Sequence, residues 1–216
     1  MTPNKPVIGV TGNSGAGKGA VCGILSRMGG FCVDADKLSH QVMEQGGPAY
    51  TEITDMFGPG VLAPDKSIDR RALGDIVFRD PGKRRELERI VHAEVAAECR
   101  LLTEMARGMA EYGFIVWDAP LLAEAGMHKQ CVLVLLVTAP YAVKLARIQA
   151  RDGITEERAK LRLSNQPPET GLYQRLAGDL GKGRVAIIEN NGDYCDLTAK
   201  TISALRDCRV IGCSSR

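Results

Sequence analysis

The chain has 216 residues, with 28 lysines and arginines against 26 aspartates and glutamates, for a formal charge of +2. Its 44% hydrophobic and 25% charged content is globular usage and excludes a disordered or collagen-like chain. The near-neutral balance removes the electrostatic case for a nucleic-acid or membrane-surface partner. At roughly 150 residues per domain the length allows one or two domains. No apolar run approaches the ~18 residues of a membrane span; the longest, 131–137, suits a buried strand. The first six residues lack the pattern of a signal peptide. Cysteines stand at 22, 32, 99, 131, 195, 208 and 213. The odd number and the lack of Cys-x-x-Cys disfavour a disulfide framework or zinc site, so reduced thiols and a cytoplasmic location are expected.

Val7–Thr11 is apolar and β-branched and is predicted to be a strand. Gly12-Asn13-Ser14-Gly15-Ala16-Gly17-Lys18-Gly19 follows and matches Gly-x4-Gly-Lys, the P-loop. Its glycines permit positive φ and close backbone approach. Successive N–H groups then converge on phosphate oxygens, the next helix presents its positive end, and the lysine reaches the outer phosphates. The next residue is normally Ser or Thr, whose hydroxyl binds Mg²⁺. Here it is Gly19, followed by Ala20. The site either lacks that metal ligand or holds Mg²⁺ through water.

A helix is expected over 20–28, stopped by Gly29-Gly30, and a second strand over 31–33. This βαβ unit implies a parallel sheet. Asp34 and Asp36 then follow a strand end, where open parallel sheets bind ligands. One could orient or deprotonate an attacking hydroxyl and the other could hold water on Mg²⁺; helix N-capping is the plainer alternative. Residues 35–112 carry helical patterns, and 47–112 is read as a helical insertion. Within it, Asp80 as N-cap and Pro81 open a long amphipathic helix that ends near Tyr112-Gly113 and measures about 40 Å. His92 lies on this helix, where a structural histidine is the plainer reading.

Central parallel strands are expected over 114–117 and 132–137. Asp118 ends the first of them, like the acidic residue that P-loop proteins place near the metal. Helices over 140–152 and 155–165 follow, stopped by Pro167-Pro168. Arg147 and Arg151 share a helix face. They either close over a triphosphate or belong to a solvated basic face with Arg158, Lys160 and Arg162. The last strand falls at 185–188, residues 197–205 lie in a closing helix, and Cys208 and Cys213 are expected to be exposed thiols.

The chain resembles the dephospho-coenzyme A kinase family from about residue 7 to 205. Beyond the P-loop, the resemblance rests on Asp34-Ala35-Asp36-Lys37-Leu38-Ser39-His40, Ile68-Asp69-Arg70-Arg71, Leu87-Glu88-x-Ile90-x-His92 and Pro120-Leu121-Leu122-x-Glu124. It also includes Arg147-x3-Arg151-Asp152, Arg162-x3-Gln166 and Asn190-Asn191-Gly192. Departures include Gly19-Ala20 for a Ser/Thr pair, Ala93 for proline, Ala123 for phenylalanine and Lys144 for glutamine. The resemblance implies an α/β P-loop kinase fold: a three-layer nucleotide-binding core (1–46, 113–139 and 184–216), an inserted helical substrate domain (47–112) and a helical lid region (140–183). It implies ATP and Mg²⁺ as cofactors and phosphorylation of the ribose 3′-hydroxyl of the small-molecule substrate dephospho-coenzyme A, by a monomer or weak homo-oligomer. The implied catalytic residues are Asp36, Lys18 and Arg147. ATP would meet Gly12, Asn13, Ser14, Gly15, Ala16, Gly17, Lys18, Gly19, Ala20, Arg147, Arg151 and Asn191. The substrate would meet Asp36, Arg70, Arg71, His92, Leu122 and Glu124, and Asp34 and Asp118 would serve the metal. Another P-loop kinase, a GTP-dependent switch and a binding protein without catalysis are weaker fits. Asp55-x-x-Gly58 has no strand before it, and no Asn-Lys-x-Asp motif occurs.

Overall fold

The computed structural model describes residues 4–208; Cys213 lies outside them. The strands are β1 (Val7–Thr11), β2 (Gly30–Asp34), β3 (Phe114–Asp118), β4 (Leu133–Thr138) and β5 (Val185–Glu189), in the spatial order β2-β3-β1-β4-β5. The pairings of β1 with β3, β1 with β4, and β4 with β5 are parallel. β1 and β4 are buried along almost their whole length, which accounts for their unbroken apolar sequence. Alternation still sets the faces. Ile8, Val10, Phe114, Val116, Leu133, Leu135 and Val137 form one core cluster with Val21, Ile24 and Leu25 of α1 (Lys18–Arg27) and Leu197 and Leu205 of α9 (Tyr194–Asp207).

Asp34–Leu102 forms one compact unit, and the described residues before and after it form the other. The first holds α2 (Ala35–Gln41), α3 (Tyr50–Phe57), α4 (Arg70–Arg79) and most of α5 (Pro81–Arg107). Carboxylate caps start three of these helices, with Asp34 on α2, Asp69 on α4 and Asp80 on α5. Asp69 accepts from the N–H groups of Arg71 and Ala72 at 2.9 and 3.1 Å, and Asp80 from those of Gly82 and Lys83 at 2.8 and 3.1 Å. The donors hold the Asp80 carboxyl below its ordinary range.

The long helix ends at Arg107, earlier than its apolar pattern suggests. The physical cause is Lys5. Its buried ammonium donates to the carbonyls of Ala106, at 2.9 Å, and Met109, satisfying acceptors that a continuing helix would use. Thr103 in the last turn is buried and accepts from Trp117 Nε1 at 3.1 Å. Met105, near the end of the helix, is 53% exposed.

After β4 come α6 (Tyr141–Asp152) and α7 (Glu156–Ser164), which share a small cluster of Ile148, Ala159 and Leu163. α8 (Glu169–Leu180) is a helix where the sequence pattern stops at the two prolines. Pro168 occupies its N-cap position, and Gly171 and Gly178 dilute its signal. Polar pairs hold both ends of α8. Glu169 Oε1 accepts from the buried Lys144 Nζ at 2.7 Å, and Asp179 Oδ2 lies 2.7 Å from Nε2 of the fully buried His128.

Two outcomes follow from these contacts. Thr103→Val leaves the buried Trp117 N–H without its acceptor and is expected to cost about 1–3 kcal/mol, measured by urea unfolding, with Thr103→Ser recovering most of it. The His128 hydrogen bond lowers the Asp179 carboxyl titration. A lowered carboxyl stabilises the fold above its ordinary range near about 4 and loses that contribution as pH falls through the lowered value. Asp179→Asn is therefore expected to destabilise at pH 7 and to converge on the parent protein at strongly acid pH. Equal destabilisation at pH 7 and at the acid end would show that the carboxylate charge is not what anchors α8.

Candidate active site

The P-loop leaves the carboxyl end of β1 and runs into α1, which begins at Lys18, two residues earlier than the apolar stripe suggests. Three glycines of the loop are required by contact: a Cβ at Gly12 (φ +141°) would lie 2.2 Å from the Val137 carbonyl oxygen. A Cβ at Gly15 (φ +78°) would lie 2.6 Å from the Lys144 carbonyl oxygen, and one at Gly17 (φ +98°) would lie 2.1 Å from Asn190 Nδ2. Gly19 differs. It sits in the first turn of α1, exposed, with ordinary φ and open space where a side chain would stand. Neither backbone conformation nor crowding demands glycine there.

Several side chains and loops converge on the loop. Lys18 Nζ donates to Gly12 O at 2.8 Å. Arg147 Nη1 reaches the carbonyls of Gly15 and Ala16 at 3.4 and 3.3 Å, and Arg151 Nη2 lies 3.5 Å from Ser14 Oγ. From the segment between α7 and α8, Gln166 Oε1 accepts the Ser14 N–H at 3.0 Å, and Pro167 O accepts from Asn13 Nδ2 at 3.1 Å. Arg151 and Arg162 both pair with Asp152, at 2.7 and 2.6 Å, and together hold its carboxyl below the usual range.

Asp118, half-buried, ends β3. Its carboxylate and Lys18 act on one thiol, that of Cys22. Burial first and Asp118 second push this thiol up, and Lys18 opposes them. Burial and Asp118 likewise push the Cys32 thiol up to about 11. Both thiols are therefore protonated at neutral pH and are poor nucleophiles. Among the described residues no cluster of three or more His, Cys, Asp or Glu side chains is arranged to hold a metal alone. A divalent ion here would rely mainly on nucleotide oxygens and water, as Mg²⁺ does readily.

Other residues singled out from sequence are placed differently. Asn191 is exposed, and its Oδ1 accepts from Lys200 Nζ at 3.2 Å; the neighbouring Asn190 is the one that meets the P-loop. Leu122 is fully buried against Gly9. It offers no side-chain surface to a substrate, whereas Leu121 is 51% exposed. Glu124 is exposed. Within the Asp34–Leu102 unit, Asp34 caps α2, accepting the Lys37 N–H at 3.0 Å, with Lys37 Nζ 3.7 Å away. The capping alternative thus describes Asp34, while the Asp36 carboxylate is exposed. Arg70 Nη1 lies 3.4 Å from His40 Nε2, Arg71 is exposed on α4, and His92 is half-buried on α5.

Asn190, Lys144 and Gln166 were not among the predicted ligand-contacting residues. Asn190 and Gln166 stand inside quoted motifs, but only the fold shows their side chains turned onto the P-loop.

Among known proteins, the dephospho-CoA kinase family model matches residues 6–180. A dephospho-CoA kinase from Anaeromyxobacter dehalogenans is 42% identical over 204 residues, covering 94% of this chain and 92% of its own. A solved protein from Thermus thermophilus aligns with a TM-score of 0.77 at 30% identity, covering 97% of this chain and 100% of its own. The dephospho-CoA kinase from Campylobacter jejuni aligns with a TM-score of 0.61 at 25% identity, over 93% and 96% of the two chains. With a P-loop backed by an arginine-bearing helix at the end of a parallel sheet, and with a match over most of its length, the chain belongs to the dephospho-CoA kinase family.

Proposed function

We propose that the protein transfers the γ-phosphate of ATP to the ribose 3′-hydroxyl of dephospho-coenzyme A. The observation that carries this reading is the seating of Arg147 on the P-loop carbonyls beside Lys18, in a chain of this family. Among the described residues Arg147 has no carboxylate partner, so its charge is not neutralised within the protein. Phosphoryl transfer spreads negative charge over the equatorial oxygens and depends chiefly on positioning and charge stabilisation. In the proposed mechanism the P-loop N–H groups and the start of α1 bind the phosphates. Lys18 exchanges its Gly12 carbonyl for a phosphate oxygen. Arg147 stabilises the transferring group, and Arg151, with Asn13, Ser14 and Asn191, borders the nucleotide.

Asp36 is the proposed base, orienting the 3′-hydroxyl and taking its proton. Arg70, Arg71, His92 and Glu124 are assigned to the substrate, with residues 47–112 as its domain and 140–183 as the lid region. Mg²⁺, when bound, neutralises phosphate charge. Asp118 fits it best, because its carboxylate lies in the same environment as Lys18. Asp34 would offer an oxygen only alongside its capping bond. Among the described residues no helix is long and apolar enough to cross a membrane. The cytoplasm and a monomer or weak homo-oligomer remain part of this proposal.

The direct test is ATP-dependent formation of coenzyme A from dephospho-coenzyme A. Faster turnover of adenosine or a nucleoside monophosphate under matched conditions would sink the assignment. Asp36→Asn and Arg147→Ala are each expected to lower kcat by on the order of 10²-fold or more, with ATP affinity less affected. Near-normal kcat in Asp36→Asn would remove it as the base. Gly19→Ser should fold normally, since the site has room and a helical serine is favoured over glycine by roughly half a kcal/mol. It is expected to lower the Mg²⁺ concentration for half-maximal rate. An unchanged Mg²⁺ titration would show that position 19 does not face the metal.

A further inference from the structure

Asn190 follows β5 and is 5% exposed. Its backbone N–H donates to Thr138 O at 2.8 Å, which ties it to the end of β4. Its side chain is a two-headed connector. Nδ2 donates to the Ala16 carbonyl of the P-loop at 2.8 Å in a buried contact, while Oδ1 accepts from Arg147 Nη2 at 3.4 Å. The same guanidinium reaches Asn190 O at 3.5 Å, and its other nitrogen shares the Ala16 carbonyl. The amide orientation is chemically determined. Reversed, it would set oxygen against the Ala16 carbonyl oxygen and an NH₂ group against a cation.

We propose that Asn190 is a positioning residue for phosphoryl transfer, fixing the Arg147 guanidinium against the phosphate cradle without neutralising it. Every Arg147 acceptor among the described residues is neutral and lies at 3.3–3.5 Å. These contacts orient the cation yet leave its charge for a ligand. Arg151 and Arg162 contrast with it, since both are committed to Asp152. An aspartate at 190 would fill the same space but would repel the Ala16 carbonyl and pair with the guanidinium. Gly17 belongs to the same device, because a side chain there would collide with Asn190 Nδ2. The proposal rests on the reading of Arg147 as the charge clamp.

The test is a double-mutant cycle on the full chain with Asn190→Ala, Arg147→Ala and the pair, plus the near-isosteric Asn190→Asp as a second variant. Two readouts are taken: kcat with dephospho-coenzyme A, and ATP affinity by titration without acceptor. Thermal unfolding checks that each variant is folded. Displacing a clamp by about an ångström can cost on the order of 10²-fold. Asn190→Ala and Asn190→Asp are therefore each expected to lower kcat at least about 10-fold, with little change in the KM for dephospho-coenzyme A. In the Arg147→Ala background, Asn190→Ala should lower neither kcat nor ATP affinity by more than about 2-fold, since coupled residues are non-additive. Equal losses in both backgrounds, or an Asn190→Asp variant with parental kcat and ATP affinity, would overturn the proposal. If the parent protein binds ATP but does not phosphorylate dephospho-coenzyme A, the substrate assignment fails. The ATP-affinity cycle then decides the Asn190 proposal alone, with non-additivity supporting it and additivity overturning it.

Discussion

The geometry of the nucleotide-binding unit depends on bare backbone lying against its surroundings. The P-loop runs so close to the main chain of α6 at Gly15, and to Asn190 at Gly17, that a methyl group at either position would overlap a neighbour. This approach brings α6 close enough for Arg147 to rest on loop carbonyls. The apolar core beneath, from Ile8 to Leu205, fixes the strand and helix that carry the loop.

Charged groups around the cradle are handled in two ways. Some charges are paired within the protein: Lys144 with Glu169, and Arg151 and Arg162 with Asp152. Arg147 differs, having no carboxylate partner among the described residues. Arg147 rests on neutral oxygens, and the Lys18 ammonium has a loop carbonyl at 2.8 Å. A cation held this way needs little rearrangement when a phosphate arrives, which is the sense in which such a site is preorganised.

Much of this was legible in the sequence because the relevant signals are local. β1 was placed to the residue, the other four strands to within a residue or two, and Asp80-Pro81 marked the start of α5 correctly, since periodicity and capping are read within a few residues. What escaped reading depended on distant partners. The end of α5 is set by Lys5, about a hundred residues away in sequence, so the local pattern that ran to Tyr112-Gly113 could not reveal it. α8 is held by Lys144 and His128 more than by its own pattern. In the site, the motif containing Asn190 and Asn191 was visible, but which asparagine faces inward follows from the strand register joining Asn190 to Thr138. Leu122 drew notice through its motif, yet the fold turns its side chain into the core.

The contact between α6 and Gly15 is made by main-chain atoms of Lys144, so the loop does not constrain which side chain that residue carries. Glu169 does. An ion pair of this kind is often close to neutral when replaced whole, but losing one partner strands a charge, at a cost that the half-buried Glu169 brings below the about 3–5 kcal/mol of a fully buried pair. Positions 144 and 169 should therefore evolve as a pair. A lineage moving from lysine to an uncharged residue at 144 passes through an intermediate with one charge stranded, and because Lys144 is the more buried partner the milder order loses the lysine before the carboxylate. Two residues that need never touch substrate could in this way limit which sequences the nucleotide-binding unit can reach.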